Sequence, residues 1–271
     1  MSEKITPKLS GVPETLLITL YVRARESQRP DAMMKDAPAV AMVNRIEYDF
    51  SRLKMQRHDE VAVIMRMNKF DNHARDLITR NPQAVIVHIG CGFDTRFERV
   101  AERDDSVQWF DLDLPAVMDV RRQLIGTDSP RYHMLAASVF DKGWLDELGP
   151  YQARPFLFLA EGVFPYFEEA QIKSLFLRLR SRFPGAELVC DAHTPFVIWA
   201  DNLQLALAGV EARLHWRLKH SRDVERWGEG IRLLEEWNYF QEDEPRLKWV
   251  RWVRLVPPLA SSSGIFHYKL G

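Results

Sequence analysis

Two glycines, four carboxylates and a few arginines carry the chemistry available to this chain. Gly90 and Gly92 stand one residue apart at the end of the apolar run Ala84-Val85-Ile86-Val87-His88-Ile89, with Cys91 between them and Asp94 and Arg96 just beyond. Glycine takes positive φ and has no Cβ, so a backbone turned there approaches a ligand closely and offers it N–H groups. A second apolar run ends at Asp111 and Asp113. An ionised carboxylate accepts through two oxygens, so an acid at this point can hold both hydroxyls of a ribose. Asp113 is the choice for that role, and Asp111, on the same side of the strand, can support the helix that begins after Leu114 at Pro115. At Ala137-Ser138-Val139 a hydroxyl and a backbone group can read the edge of a purine while a valine covers its face. Glu161 and Gly162 follow the apolar run from Phe156 to Ala160. Burying that carboxylate alone would be costly, so it should accept from an ammonium group or from arginines upstream. Tyr166 can orient a substrate oxygen.

These groups meet only if their strands lie side by side. Hydrophobic patterning predicts strands near 84–89, 107–111, 131–136, 155–160 and 186–190, and helices near 94–103, 115–125, 141–148 and 168–182. Such alternation implies a parallel sheet covered on both faces, and right-handed crossovers bring the carboxyl ends of its strands to one ligand-binding edge. Residues 1–82 predict a helical cap, with helices over 14–26, 37–50 and 59–79 and a stop at Asn81-Pro82. Its Arg23, Arg25, Arg66 and Asp71, taken singly, read as solvated helix faces. Residues 195–216 and 223–237 predict two helices, a substrate lid inserted over 195–240, and 247–256 with 265–270 an antiparallel closing pair of strands. Trp199, Trp216, Trp227, Trp237, Trp249 and Trp252 read mainly as packing residues, with a flat apolar pocket as the other use. The expected fold is α/β and Rossmann-like, a seven-stranded mostly parallel sheet with the cap (1–82) and the core (83–271) in one structural unit.

The glycine spacing separates cofactors. A dinucleotide fingerprint sets a third small residue three places after the second glycine, where this chain has Thr95 preceded by Asp94. Diphosphate is thereby disfavoured, whereas a phosphate-free nucleoside such as S-adenosylmethionine needs only the close backbone, an acid for its ribose and a charged place for its tail. With 271 residues, 46% of them hydrophobic, one catalytic domain is expected. Lys and Arg (37) nearly balance Asp and Glu (38), which leaves no basic field for nucleic acid or anionic lipid. Cys91 and Cys190 sit in or beside apolar runs, so neither a disulfide framework nor a metal site is expected. The N-terminus carries no secretory pattern and no apolar run approaches the ~20 residues that span a bilayer, so a cytoplasmic monomer or homodimer is expected.

Longer strings narrow the reading. Leu16-Leu17 with Leu20-Tyr21-Val22-Arg23-Ala24, Arg45-Ile46-Glu47-Tyr48-Asp49-Phe50, Arg66 with Asp71, Gly90-Cys91-Gly92-Phe93-Asp94-Thr95-Arg96-Phe97, Trp109 to Pro115, Ala137 to Asp141 with Trp144, Glu161-Gly162-Val163 and Phe183 to Glu187 together resemble the leucine carboxyl methyltransferase family, and within it the bacterial polyketide-type O-methyltransferases related to the tetracenomycin enzyme. The resemblance covers roughly residues 14–196. It implies a class I methyltransferase core that takes its methyl from S-adenosylmethionine and passes it to a carboxylate or hydroxyl of a small molecule. It also implies that Arg23 and Arg66 bind the cofactor's carboxylate, Gly90 and nearby backbone its tail, Asp113 its ribose, Ser138 and Val139 its adenine, and Glu161 its ammonium. With neighbours, the candidate cofactor set is Arg23, Arg66, Gly90, Cys91, Gly92, Asp94, Arg96, Asp111, Asp113, Leu114, Ser138, Val139, Glu161 and Gly162. Two departures stand out. Phosphatase-modifying members read adenine with an aspartate where this chain has Ser138, which argues against a phosphatase tail as substrate, and their Leu-Met-Tyr is Phe164-Pro165-Tyr166 here. A carboxylate acceptor needs no base; a hydroxyl does, with Tyr166 the first candidate and His193 and His133 behind it. A nicotinamide-dependent oxidoreductase and a non-catalytic cofactor-binding regulator are the rival readings.

Overall fold

The protein is described by a computed structural model over residues 4–6, 15–53, 55–101, 106–126, 129–207 and 213–271. Three helices precede the first strand: α1 (Thr15–Ser27), α2 (Ala37–Arg45) and α3 (Arg57–Arg80). The expected helix over 37–50 ends at Arg45, and a 3-10 turn at Phe50–Arg52, capped by Asp49, follows it. The expected helix start at Glu14 lies outside the described residues.

β1 (Val85–Ile89), β2 (Gln108–Asp113), β3 (Tyr132–Ala136), β4 (Phe156–Ala160) and β5 (Ala186–His193) run parallel, each close to its expected place. Between them lie α4 (Arg96–Val100), α5 (Pro115–Ile125), α6 (Trp144–Glu147) and α7 (Glu169–Arg182). α4 is shorter than the expected 94–103, of which 102 and 103 lie outside the described residues. β6 (Ile231–Asn238) and β7 (Ser263–Leu270) complete one sheet in the order β3-β2-β1-β4-β5-β7-β6, with β7 antiparallel to both neighbours.

Strand periodicity divides the core. Val85, Val87 and Ile89 face Ile172, Leu175 and Phe176 of α7 on one side; Ala84 and Ile86 face Phe70, Ala74 and Leu77 of α3 on the other. His88 shares the parity of Ile86 and therefore lies under α3. α1 and α2 pack Leu17, Leu20, Ala39 and Met42 against Val117, Val120 and Leu124 of α5, which seats the helical prelude at the carboxyl edge of β1 and β2.

The chain beyond β5 departs from expectation. α8 (Pro195–Leu207) is helical, while residues 208–212 of the expected 195–216 helix lie outside the described residues and 213–216 are not helical. The expected helix over 223–237 is a 3-10 stretch, Ser221–Trp227, followed by strand β6. Leu233, Leu234, Glu235 and Glu236 are good helix formers, yet pairing with β7 overrides that preference. The expected strand over 247–256 is a 3-10 segment, Pro245–Leu255, kinked at Lys248 (φ 56°). Three residues per 3-10 turn place Trp249, Trp252 and Leu255 on one exposed stripe. No described helix is long and apolar enough to cross a membrane.

Candidate functional site

The turn after β1 is left-handed at Gly90 (φ 63°) and Gly92 (φ 51°). A Cβ on Gly90 would stand 2.3 Å from Cγ2 of Val163, and one on Gly92 would stand 2.7 Å from Cδ2 of Leu16. Gly90 thus demands glycine for backbone angle and for space, and Gly92 for backbone angle, since the end of the Leu16 side chain can move aside. The turn opens a cavity of two lobes, about 280 and 390 Å³, that share Leu16, Gly90, Gly162 and Tyr166.

The larger lobe lies over β2 and β3, lined by Leu112, Asp113, Leu114, Val117, Ser138, Val139 and Phe140 among others. Asp113 accepts from the N–H of Gly92 and of Leu114, each at 2.7 Å. Burial raises its carboxyl above the ordinary value, and those two N–H groups oppose the rise. Ser138 accepts from the N–H of Phe140 at 3.3 Å, while its own N–H is tied to Asp141. Val139 is buried and its carbonyl accepts from the Trp144 indole at 3.2 Å, so the wall that would face a purine is fixed from behind.

The smaller lobe is charged. Arg23 and Arg66 reach it from α1 and α3, and Asp94, Glu161, Asp191, His88, Cys91 and His193 reach it from the strand ends. Glu161 accepts from Nε of Arg66 at 2.8 Å and from Nη2 of Arg96. Arg66 also meets Asp191 at 3.4 Å, and Asp191 accepts from the N–H of Gly162 at 2.8 Å. Burial works against the Arg66 charge, but Tyr239, Glu161 and Asp191 outweigh it, so the guanidinium is held more firmly protonated than usual. Arg23 donates from Nε to Asp36 at 2.9 Å and from Nη2 to the Phe93 carbonyl. Asp94 pairs with Arg99 at 2.7 Å and Arg96 at 3.1 Å; burial alone would raise its carboxyl, and Arg99, Arg96 and Arg23 instead hold it well below the ordinary value. Five guanidiniums (Arg23, Arg66, Arg75, Arg96, Arg99) thus face five carboxylates (Asp36, Asp71, Asp94, Glu161, Asp191) in one network whose formal charges balance.

Several expected site residues stand elsewhere. Arg96 is wholly buried and lines neither lobe; it holds Asp71 at 2.7 Å, Glu161, Asp94 and Nε2 of His88, and so positions groups that do line the cavity. Asp111 is likewise a correction: it is buried beneath the edge and accepts from Arg121, Tyr132 (2.7 Å) and the Trp109 indole (2.8 Å), pinning α5 to the sheet. His133 stacks on Phe110 at 4.5 Å and contacts Gln108 at 3.1 Å, away from both lobes. Cys91 lines the smaller lobe, but burial keeps its thiol far from ionisation. None of the tryptophans lines either lobe; Trp216 and Trp237 are buried, and Trp199, Trp249 and Trp252 are exposed.

Sequence reasoning passed over His88, Asp191, Asp36 and Arg99. His88 and Asp191 were detectable, since each interrupts a buried strand and needs a partner there. Because a guanidinium only donates, Nε2 of His88 accepts from Arg96 and the ring proton sits on Nδ1; burial and the nearby Arg96 charge keep the ring neutral. His193 contacts the Ser263 hydroxyl at 2.9 Å, and burial lowers its pKa to about 4, with Asp201 opposing the fall.

Residues 16–180 match the leucine carboxyl methyltransferase family. The chain belongs to that family. It is 32% identical to the tetracenomycin polyketide synthesis O-methyltransferase TcmP of Streptomyces glaucescens, over 97% of this chain and 98% of that protein. It is 29% identical to the S-adenosyl-L-methionine-dependent methyltransferase dpfgK of Gibberella zeae, over 84% of this chain and 82% of that one. A solved DUF574-family protein from Streptomyces avermitilis superposes with a TM-score of 0.58 at 13% identity, covering 95% of this chain and 97% of its own, and shares the fold. As a member of this family the protein is an S-adenosylmethionine-dependent methyltransferase of class I architecture. The nicotinamide and regulator readings are therefore set aside. The site agrees: Thr95 is buried and donates to Asp36 at 2.6 Å, and Asp94 stands where a diphosphate would need positive charge.

Proposed function

We propose that this methyltransferase transfers the methyl group to a carboxylate or hydroxyl oxygen of a small, polyketide-like molecule. The reading is supported above all by the junction of the two lobes, where Tyr166 borders both the adenosyl-shaped apolar lobe and the charged one. The relation to TcmP, named for polyketide synthesis, supports the acceptor class.

In this reading Asp113 takes the ribose hydroxyls, and Leu114, Ser138 and Val139 enclose the adenine. Arg23 and Arg66 grip the cofactor's carboxylate, a planar donor matched to a planar acceptor. Glu161 and the backbone at Gly90 receive its ammonium. S-adenosylmethionine supplies an activated methyl, so the chain's own task is alignment and exclusion of water. Leu214 lines the charged lobe, fixed by paired hydrogen bonds between its backbone and Asn202 of α8, both 2.8 Å, so α8 and Leu214 serve as the lid. Tyr166 orients the acceptor oxygen. For a hydroxyl acceptor, neutral His193 in the same lobe is the proton acceptor, a place that His133 cannot fill.

The test is a methyl-transfer screen with methyl-labelled cofactor over aromatic polyketide-like acids and phenols. Labelled ester or ether from one class, with kcat reduced by Tyr166→Phe, is the expected result. No product across both classes from protein that binds the cofactor would contradict the acceptor assignment.

A further inference from the structure

We propose that His73 of α3, Glu235 of β6 and His267 of β7 form a binding site for a divalent transition ion of the zinc class, separate from the cofactor cavity. One ligand atom from each residue lies within 4.8 Å of the others. Nε2 of His73 is 3.8 Å from Oε2 of Glu235, and the two imidazole rings stand 4.8 Å apart, inclined at 69°. Ligands bound at roughly 2.0–2.2 Å in a tetrahedron lie roughly 3.3–3.6 Å apart, so a contraction of about one ångström completes the site. Glu235 is the exposed member and marks the path of entry, while both histidines are buried.

What distinguishes this cluster from a chance meeting of polar groups is the support behind it. Glu187 of β5, itself buried, stands 2.9 Å from Nε2 of His267 and is anchored by Arg80 at 3.2 and 3.3 Å. A carboxylate held by arginine only accepts, so Nε2 of His267 carries the proton and the lone pair left for an ion is on Nδ1. That is the carboxylate–histidine arrangement which orients metal-binding imidazoles. Lys69 pairs with Oε1 of Glu235 and leaves Oε2 on the side of His73.

Two imidazoles and one carboxylate select zinc-like ions over magnesium or calcium, which prefer oxygen alone. Three protein ligands leave a position for water. The ion would join α3 to the outer antiparallel strands, and α3 also delivers Arg66 and Asp71 to the cofactor network. Sequence spacing gave no hint of it, because the three residues come from elements far apart in the chain.

The test uses tag-free full-length protein and Co2+ as a spectroscopic probe, with Zn2+ as competitor. Expected are one equivalent of Co2+ giving visible d–d absorption, displacement by Zn2+, and an affinity lowered at least about tenfold by Glu235→Gln, by His73→Gln and by Glu187→Gln. Glu235→Gln is the variant least able to disturb folding, since its side chain is exposed, and circular dichroism verifies each variant's fold. Absence of stoichiometric Co2+ uptake by the parent would overturn the proposal. So would folded Glu235→Gln and His73→Gln proteins that bind Co2+ as the parent does. Neither outcome touches cofactor binding, which is measured separately.

Discussion

Glu98 shows how a single buried acid reports on the site's surroundings. Its Oε2 has no hydrogen-bond partner, and burial raises its pKa to about 7, with Arg121 opposing the rise. Between the ordinary value of 4.5 and about 7 the folded chain keeps a proton that the unfolded chain loses, so this group's contribution to stability falls as pH rises through that window. Glu98→Gln, neutral throughout, should therefore gain on the parent by about 3 kcal/mol at pH 8 relative to pH 4.5, read from urea unfolding at both pH values. An equal difference at the two pH values would contradict the assignment. Arg96 makes the opposite case. With no face on the cavity and three carboxylates around it, Arg96→Met should cost about 3–5 kcal/mol by stranding buried charge. A loss under ~1 kcal/mol in denaturant unfolding would mean that the network is wetter than its geometry implies. Which arginine enters the cavity was not legible from spacing: Arg23, Arg66 and Arg96 look alike in sequence, and only the packing of α1 against α5 and of α3 against β1 separates them.

At the scale of elements, the turn between β1 and α4 is the most constrained feature. Gly90→Ala brings both a steric clash with Val163 and a strained φ, so it should destabilise the fold by more than ~2 kcal/mol. Adding Val163→Ala removes the clash and leaves the strain, so thermal unfolding of the double variant should recover part of the loss and not all of it. Full recovery, or none, would contradict that division. The parallel strands were legible because Phe156–Ala160 is a continuous apolar run and Val85–Ile89 is one broken by His88 alone, as befits strands buried on both faces. β6 was not. Its alternation is broken by exposed Leu234 and a register shift between Leu233 and Glu235. Gly228 and Gly230 mark a break before it, and left-handed Gly230, where an added Cβ would stand 2.9 Å from Cα of Gly271, turns the chain into the sheet edge.

Across the whole molecule, the two-lobed cavity draws on α1, α3, β1, β2, β5 and the turn after β4 at once, so ligand binding there and global stability are linked. S-adenosylhomocysteine at a hundred times its Kd should stabilise the protein by about 2.7 kcal/mol, a rise in Tm of roughly 5–10 °C for a domain of this size. NAD(P) should leave Tm unchanged. Asp113 and the glycine turn at the cavity were readable because local strings carry them, whereas the closing network of Asp36, Asp71, Arg99 and Asp191 exists only through contacts between distant elements. Calorimetric titration of S-adenosylhomocysteine into the parent and into Asp113→Ala tests the central claim most directly. The account predicts one site in the parent and an affinity roughly 10- to 100-fold weaker in the variant, the worth of charge-assisted bonds to the ribose. Heat that is absent from the folded parent, or identical in the two proteins, would contradict it.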